Sequence, residues 1–118
     1  MESARVVVTG LGAISPLGLS ADPMWAGLCE GRCGIGRIKA FDPAGLLCEL
    51  AGEVPAYSIQ DYVPRKYRKS CKLMCRDIEL AVIAAHQAVA ASGLVTKGID
   101  PDHVSIDPTR MGVNMGAG

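Results

Sequence analysis

Arg5-Val6-Val7-Val8-Thr9 runs without interruption into Gly10-Leu11-Gly12. A continuous β-branched run of this kind suits a strand covered on both faces in a parallel sheet. The glycines straight after it let the turning backbone approach its neighbours closely. A chain that opens this way needs helices to cover its strands. The pattern from about Lys72 to Ser92 supplies one, with Gly93 placed as its left-handed stop. Met111 to Met115 then reads as a second apolar strand, ending in Gly116-Ala117-Gly118. Strand, long helix and strand predict a right-handed βαβ element of an α/β domain.

Within that helix, Lys72, Arg76, Glu79 and His86 fall on one polar stripe, and Met74, Ile78, Val82, Ala85 and Val89 on an apolar one. Ala81, Ala84, Ala85, Ala88, Ala90 and Ala91 leave room for a neighbouring backbone. Between the two strands, Ser20 or Asp22 caps a first helix with Pro23 in its first turn, which runs through Trp25 and Leu28 to Gly31. Residues 31–46 read as a structured loop, Cys48 to Val54 as a short strand, and Pro64 as the opening of a basic turn or short helix. Residues 96–110, with Pro101 and Pro108, read as a polar loop.

The glycine turn invites a dinucleotide site, but its spacing is wrong. Such a fingerprint has a third glycine and a helix that opens at once on the pyrophosphate. Here Ser15 stands where that glycine belongs, and Pro16 and Gly18 delay the helix. No acidic residue ends a second strand at the distance a ribose hydroxyl requires. The turn is therefore read as architectural, with no nicotinamide or flavin expected.

Composition removes other classes. The 12 basic and 12 acidic residues leave a formal net charge of zero, against nucleic acid as the main partner. No run approaches the ~18 apolar residues of a membrane span. With Glu2 and a strand-like start the N-terminus is no signal peptide, and a cytoplasmic protein is expected. Five cysteines, Cys29, Cys33, Cys48, Cys71 and Cys75, make an odd set that fits reduced thiols. Their two C-x-x-x-C pairs have no histidine nearby, so a zinc site is disfavoured.

RVVVTGLGAISPLG, MWAGLCEGRCGIGRIKAFD, LAGEV, PRKYRKSCKLMCRDIELAVIAAHQAVAASGL and RMGVNMGAG follow one another in this order. Their succession resembles the β-ketoacyl-acyl-carrier-protein synthases. The resemblance implies a thiolase-like layered αβαβα fold of which only the start of the first half is present, so that residues 1–118 make an incomplete N-terminal domain. It also implies an acyltransferase that condenses an acyl chain with malonyl-carrier protein in fatty-acid or polyketide synthesis. The implied parent needs no cofactor and forms a homodimer or a ketosynthase-like heterodimer. A non-catalytic chain-length partner subunit is the alternative.

The family's nucleophilic Cys, its two His and its Lys are expected downstream of Gly118, so no catalytic residue is assigned. Cys33 lies in a loop where the family also tolerates Ser, and His86 and His103 read as solvated surface residues. Arg65, Lys66, Arg68, Lys69, Lys72 and Arg76 put six of the 12 basic residues within twelve positions. A solvated basic face is the plain reading. Docking of an acidic acyl carrier protein through Arg65, Lys66, Arg68, Lys69 and Lys72 is the functional one, favoured by the family's use of a corresponding basic stretch.

Overall fold

The first helix is set by its ends. A computed structural model of the chain, describing residues 3–116, places α1 at Ala21–Cys29. Asp22 sits in the first turn, where a negative charge meets the positive end of the helix dipole. The helix stops in a Schellman turn: the amide of Arg32 donates to the carbonyl of Gly27 (2.9 Å) and that of Gly31 to Leu28 (3.1 Å). Gly31 takes φ 67°, as this turn requires. Arg32 folds back over buried Gly27 and pairs with Glu30 at 2.8 Å.

Two short strands follow. β1 (Ile35–Arg37) pairs antiparallel with β2 (Leu50–Gly52), with Gly36 opposite Ala51. Residues 31–46, read from sequence as a loop, therefore contain a strand. Three residues with a central glycine carry no alternation to reveal it, and its register comes from its partner. Polar side chains finish this hairpin. Arg37 Nε meets Glu49 at 3.0 Å, and the Glu53 carboxylate accepts from the amides of Lys39 and Ala40 at 2.9–3.1 Å.

The long helix α2 spans Arg76–Ala91. It begins later than the expected Lys72 because Arg65–Leu73 winds as a 3₁₀-helix and Met74 breaks out with φ −79° and ψ 128°. Its stop is the expected one, with Gly93 at φ 72°. The apolar stripe differs from expectation. Ile83, outside the set Met74, Ile78, Val82, Ala85 and Val89, is the fully buried residue, at 0% exposure. Ile78 and Ala85 instead stay exposed, because the side they face is an open groove.

The glycine turn packs on the small residues of α2. A Cβ on Gly10 would strike the carbonyl of Ala88, and one on Gly12 the carbonyl of Ala84. Gln87 secures the rest of the loop. Its Oε1 accepts from the amide of Ala13 (3.1 Å), and its Nε2 donates to the carbonyl of Leu19. Between those points Ser15 and Gly18 exchange two backbone bonds of 2.9 and 3.1 Å. Pro16, inside that turn, lies against the hairpin, where a Cβ on Gly34 or Gly52 would come within 2.8 Å of its ring. The turn thus bridges α2 and the β1–β2 pair.

The two expected apolar strands are a correction. Arg5 to Thr9 and Met111 to Met115 form no ladder, and the sheet described is the antiparallel β1–β2 pair. The predicted βαβ element is accordingly absent among the described residues. The physical reason is that a parallel strand is made by its neighbours, and here none supplies the hydrogen bonds. Val6 is 94% exposed and Val113 78%, so these segments show both faces to water.

The dimensions say the same. The radius of gyration is 17.6 Å, against about 13.5 Å for a compact domain of this length. The accessible surface is 9291 Å², roughly half as much again as a folded monomer of this mass exposes. No helix of the described residues is long and apolar enough to cross a membrane.

Candidate functional site

The basic residues gather on one element. Arg65, Lys66, Arg68, Lys69 and Lys72 all lie on the 3₁₀-helix Arg65–Leu73, and all are exposed. Side chains at i and i+3 eclipse in a 3₁₀-helix, which advances about 2.0 Å per residue. Lys66, Lys69 and Lys72 therefore form one ridge with a spacing of roughly 6 Å, and Arg65 and Arg68 a second one leading to Cys71. The helix opens on Pro64, whose carbonyl accepts from Tyr67 at 2.8 Å. Cys71 and the preceding Val63 are its buried anchors, at 8% and 7% exposure.

The cations are mostly uncommitted. Lys66 Nζ lies 4.9 Å from the centre of the Tyr67 ring, and Arg68 Nε reaches the Val63 carbonyl at 3.4 Å. Among the described residues, ion pairs form at Arg32, Arg37 and His103, and none on this arc. A surface of unpaired like charges attracts an acidic partner at a distance and orients it on encounter. Arg76 departs from the group. It starts α2 beyond the break at Met74, and its guanidinium lies 5.2 Å from the centre of the Tyr57 ring.

The polar stripe of α2 is where the arc is fastened. The Tyr57 hydroxyl donates to Glu79 Oε2 at 2.7 Å, and Tyr62 meets His86 edge to face at 5.7 Å. Burial, and then the bond to Glu79, push the Tyr57 phenol above its ordinary pKa, while the Arg76 charge pulls it down. The phenol stays a neutral donor through the physiological range. Sequence reasoning missed Tyr57, Tyr62 and Glu79. The visible signal was an acid and a histidine seven residues apart on one polar stripe; His86 is exposed, as read from the sequence, and its ring edge still meets Tyr62.

Other candidates stay dispersed. All five cysteines are free, with Cys71 buried and Cys29, Cys33, Cys48 and Cys75 exposed. His103 is exposed as expected but holds Asp100 at 3.0 Å. Among the described residues no group of three or more His, Cys, Asp or Glu side chains assembles into a metal site. A groove of about 650 Å³ runs along α2, lined by Ile78, Ala81, Val82, Ala85, Val113 and Met115. It is mostly apolar, and Asp77 is the one charged residue of its lining.

Comparison with known proteins draws these features together. Residues 3–118 match the family model described as the N-terminal domain of beta-ketoacyl synthase. The 3-oxoacyl-[acyl-carrier-protein] synthase 2 of Synechocystis sp. is 39% identical over 106 residues, covering 90% of this chain and 25% of that protein. The Vibrio harveyi protein of the same name is 32% identical over 118 residues, covering 100% of this chain and 26% of its own length. Among solved structures, the ishigamide ketosynthase/chain length factor superposes with a TM-score of 0.64 at 35% identity, over 80% of this chain and 23% of that one. The chain spans about a quarter of the length of these relatives. It belongs to the β-ketoacyl synthase family, as sequence from that family's N-terminal domain.

Proposed function

We propose that this chain forms the start of a 3-oxoacyl-acyl-carrier-protein synthase of layered thiolase-like fold. That enzyme loads an acyl group on a cysteine and condenses it with malonyl-carrier protein, releasing carbon dioxide. The cysteine, its two histidines and its lysine belong to residues outside this chain, and no nicotinamide, flavin or metal enters the proposal. The present residues contribute the frame around α2 and the place where the carrier lands. The observation that carries this reading is the exposed arc of Arg65, Lys66, Arg68, Lys69 and Lys72, none of them in an ion pair among the described residues. The names of the most similar curated relatives, which specify acyl-carrier-protein, supply the partner.

Reversing Arg65, Lys66, Arg68 and Lys69 to Glu in the full synthase tests it. Reaction with carrier-bound substrate is expected to fall by about tenfold or more in kcat/KM at low salt, and the loss to shrink as salt rises. Reaction with small acyl thioesters should hardly change. Equal losses on both substrates would end the docking reading.

A second reading is favoured by one finding, the match to a ketosynthase/chain length factor structure. In it the parent is a non-catalytic partner of a ketosynthase heterodimer. Purified alone, a condensing enzyme makes 3-oxoacyl product, whereas such a partner makes it only with its second subunit.

A further inference from the structure

The arc is one side of a closed loop. Tyr57 touches Glu79 and lies under Arg76, so positions 57 and 76 meet at a neck and residues 58–75 form the loop between them. A second fastening lies further along. Glu79 and His86 are seven residues apart, which puts them on nearly the same face of α2 about 10 Å from each other. Tyr57 and Tyr62 occupy those two points, so the segment entering the arc lies along the helix instead of leaving it. Val63 and Cys71 then bury the inner side of the loop.

We infer that Tyr57 and Tyr62 are positioning residues: they clasp the basic loop onto α2 and hold its cations as a preformed array for an acidic protein surface. The inference rests on the docking role proposed above for the arc. Two fastenings of different chemistry support it. The neck joins a charge-assisted hydrogen bond, Tyr57 to Glu79, with a cation over the same ring. The second point is an aromatic edge contact. Without them, a loop carrying five lysines and arginines would repel itself and sample many shapes. Each side chain ordered beforehand removes part of the entropy lost on docking.

Proteolysis tests the clasp separately from docking. Trypsin cuts after Lys and Arg, and cleavage of a folded loop tracks the population of its open form when closing is fast. In the full synthase chain, cuts after residues 65–72 are followed by mass spectrometry. Tyr57→Phe, which removes only the hydroxyl, should speed them about tenfold, the loss of one hydrogen bond to a charged group. Glu79→Ala should match it, while Glu79→Gln, which keeps an acceptor, should stay near the parent rate. Tyr62→Ala should speed cleavage and Tyr62→Phe should not. Circular dichroism melts identify any variant that has lost its fold, and Tyr57→Phe is the mildest change. Rates within twofold of the parent for both Tyr57→Phe and Tyr62→Ala would overturn the clasp.

Docking is read on the same proteins. Tyr57→Phe should lower kcat/KM for carrier-bound substrate severalfold, less than the charge reversals do, and leave small thioesters unchanged. Faster cleavage with unchanged carrier dependence would overturn the positioning role. If the charge reversals themselves had no effect, the docking reading would fall and the positioning role with it. The cleavage rates would still report the clasp.

Discussion

The centre of β1 and the seam between the glycine turn and α2 both carry glycine, to different ends. At the centre of β1, a Cβ on Gly36 would meet nothing within 4 Å. At the seam, Gly10 and Gly12 have no room for one, because the carbonyls of Ala88 and Ala84 stand in its place. The hairpin is finished by side chains 12 to 14 residues away in sequence, Glu49 and Glu53. The seam joins residues 68 and 74 apart through Gln87. The centre of the hairpin has room to spare, whereas the seam, like the side of the hairpin where Gly52 meets Pro16, depends on steric fit.

The sharpest way to break that contrast is to add side chains on each side of it. Gly12→Val, in the full synthase, should cost about 3 kcal/mol by forcing the turn away from α2, with Gly10→Val close behind. Gly36→Ala should stay within about 0.5 kcal/mol. Denaturant unfolding of the three variants measures this, and comparable costs at Gly12 and Gly36 would erase the distinction.

The next largest effect belongs to the seam's polar tie. Gln87→Ala leaves the Ala13 amide and the Leu19 carbonyl without their partner, so a loss of about 2 kcal/mol is expected. Glu49→Ala in the hairpin breaks a partly exposed pair and should cost less than about 1 kcal/mol. The same unfolding experiment orders the two.

The smallest effect lies in the polar loop before residue 111. Backbone amides hold two carboxyls below their ordinary pKa: chiefly the Asp102 amide for Asp100, with His103 second, and the Thr109 amide and hydroxyl for Asp107. A folded-state pKa below the unfolded one means the stabilisation is present above the unfolded value, near ~3.9, and is lost as pH falls through the folded value. Neither carboxyl is buried, so the loop should loosen locally without global unfolding. Faster exchange of the Thr109 and Asp102 amides, after correction for intrinsic rates, should therefore set in only below about pH 4. Protection that is flat from pH 5 to 2 would count against these bonds.

What the sequence made legible followed the range of the interactions involved. Both helices were visible, because a glycine stop and a 3.6-residue period are local. Neither Ser20 nor Asp22 makes the expected side-chain capping bond, however, and Ser20 holds the N-cap position by its backbone alone. Gly31 and Gly93 sit at the ends of α1 and α2 as expected. The start of α2 was misplaced by four residues, because the lysines and arginines of 65–73 suit a 3₁₀-helix as readily as an α-helix. Composition marked Arg5 to Thr9 and Met111 to Met115 as strand-like, but it cannot supply the neighbour that makes a ladder. The basic arc was legible by counting charges. Its fastening was not, since Tyr57, Tyr62, Glu79 and His86 come together only when the loop folds back on α2.

Gln87 also ties together two loop groups of opposite hydrogen-bonding kind. Its amide offers one acceptor and one donor at opposite corners, and the loop answers with an N–H at Ala13 and a C=O at Leu19. Glutamate would set a carboxylate oxygen against the Leu19 carbonyl, and lysine would face the Ala13 amide with another donor. A loop slipped by one residue would offer neither complement in the right place. Position 87 thus works as a keyed plug that needs one donor and one acceptor at a fixed separation, a requirement that neither the glycines nor the alanines of the seam impose.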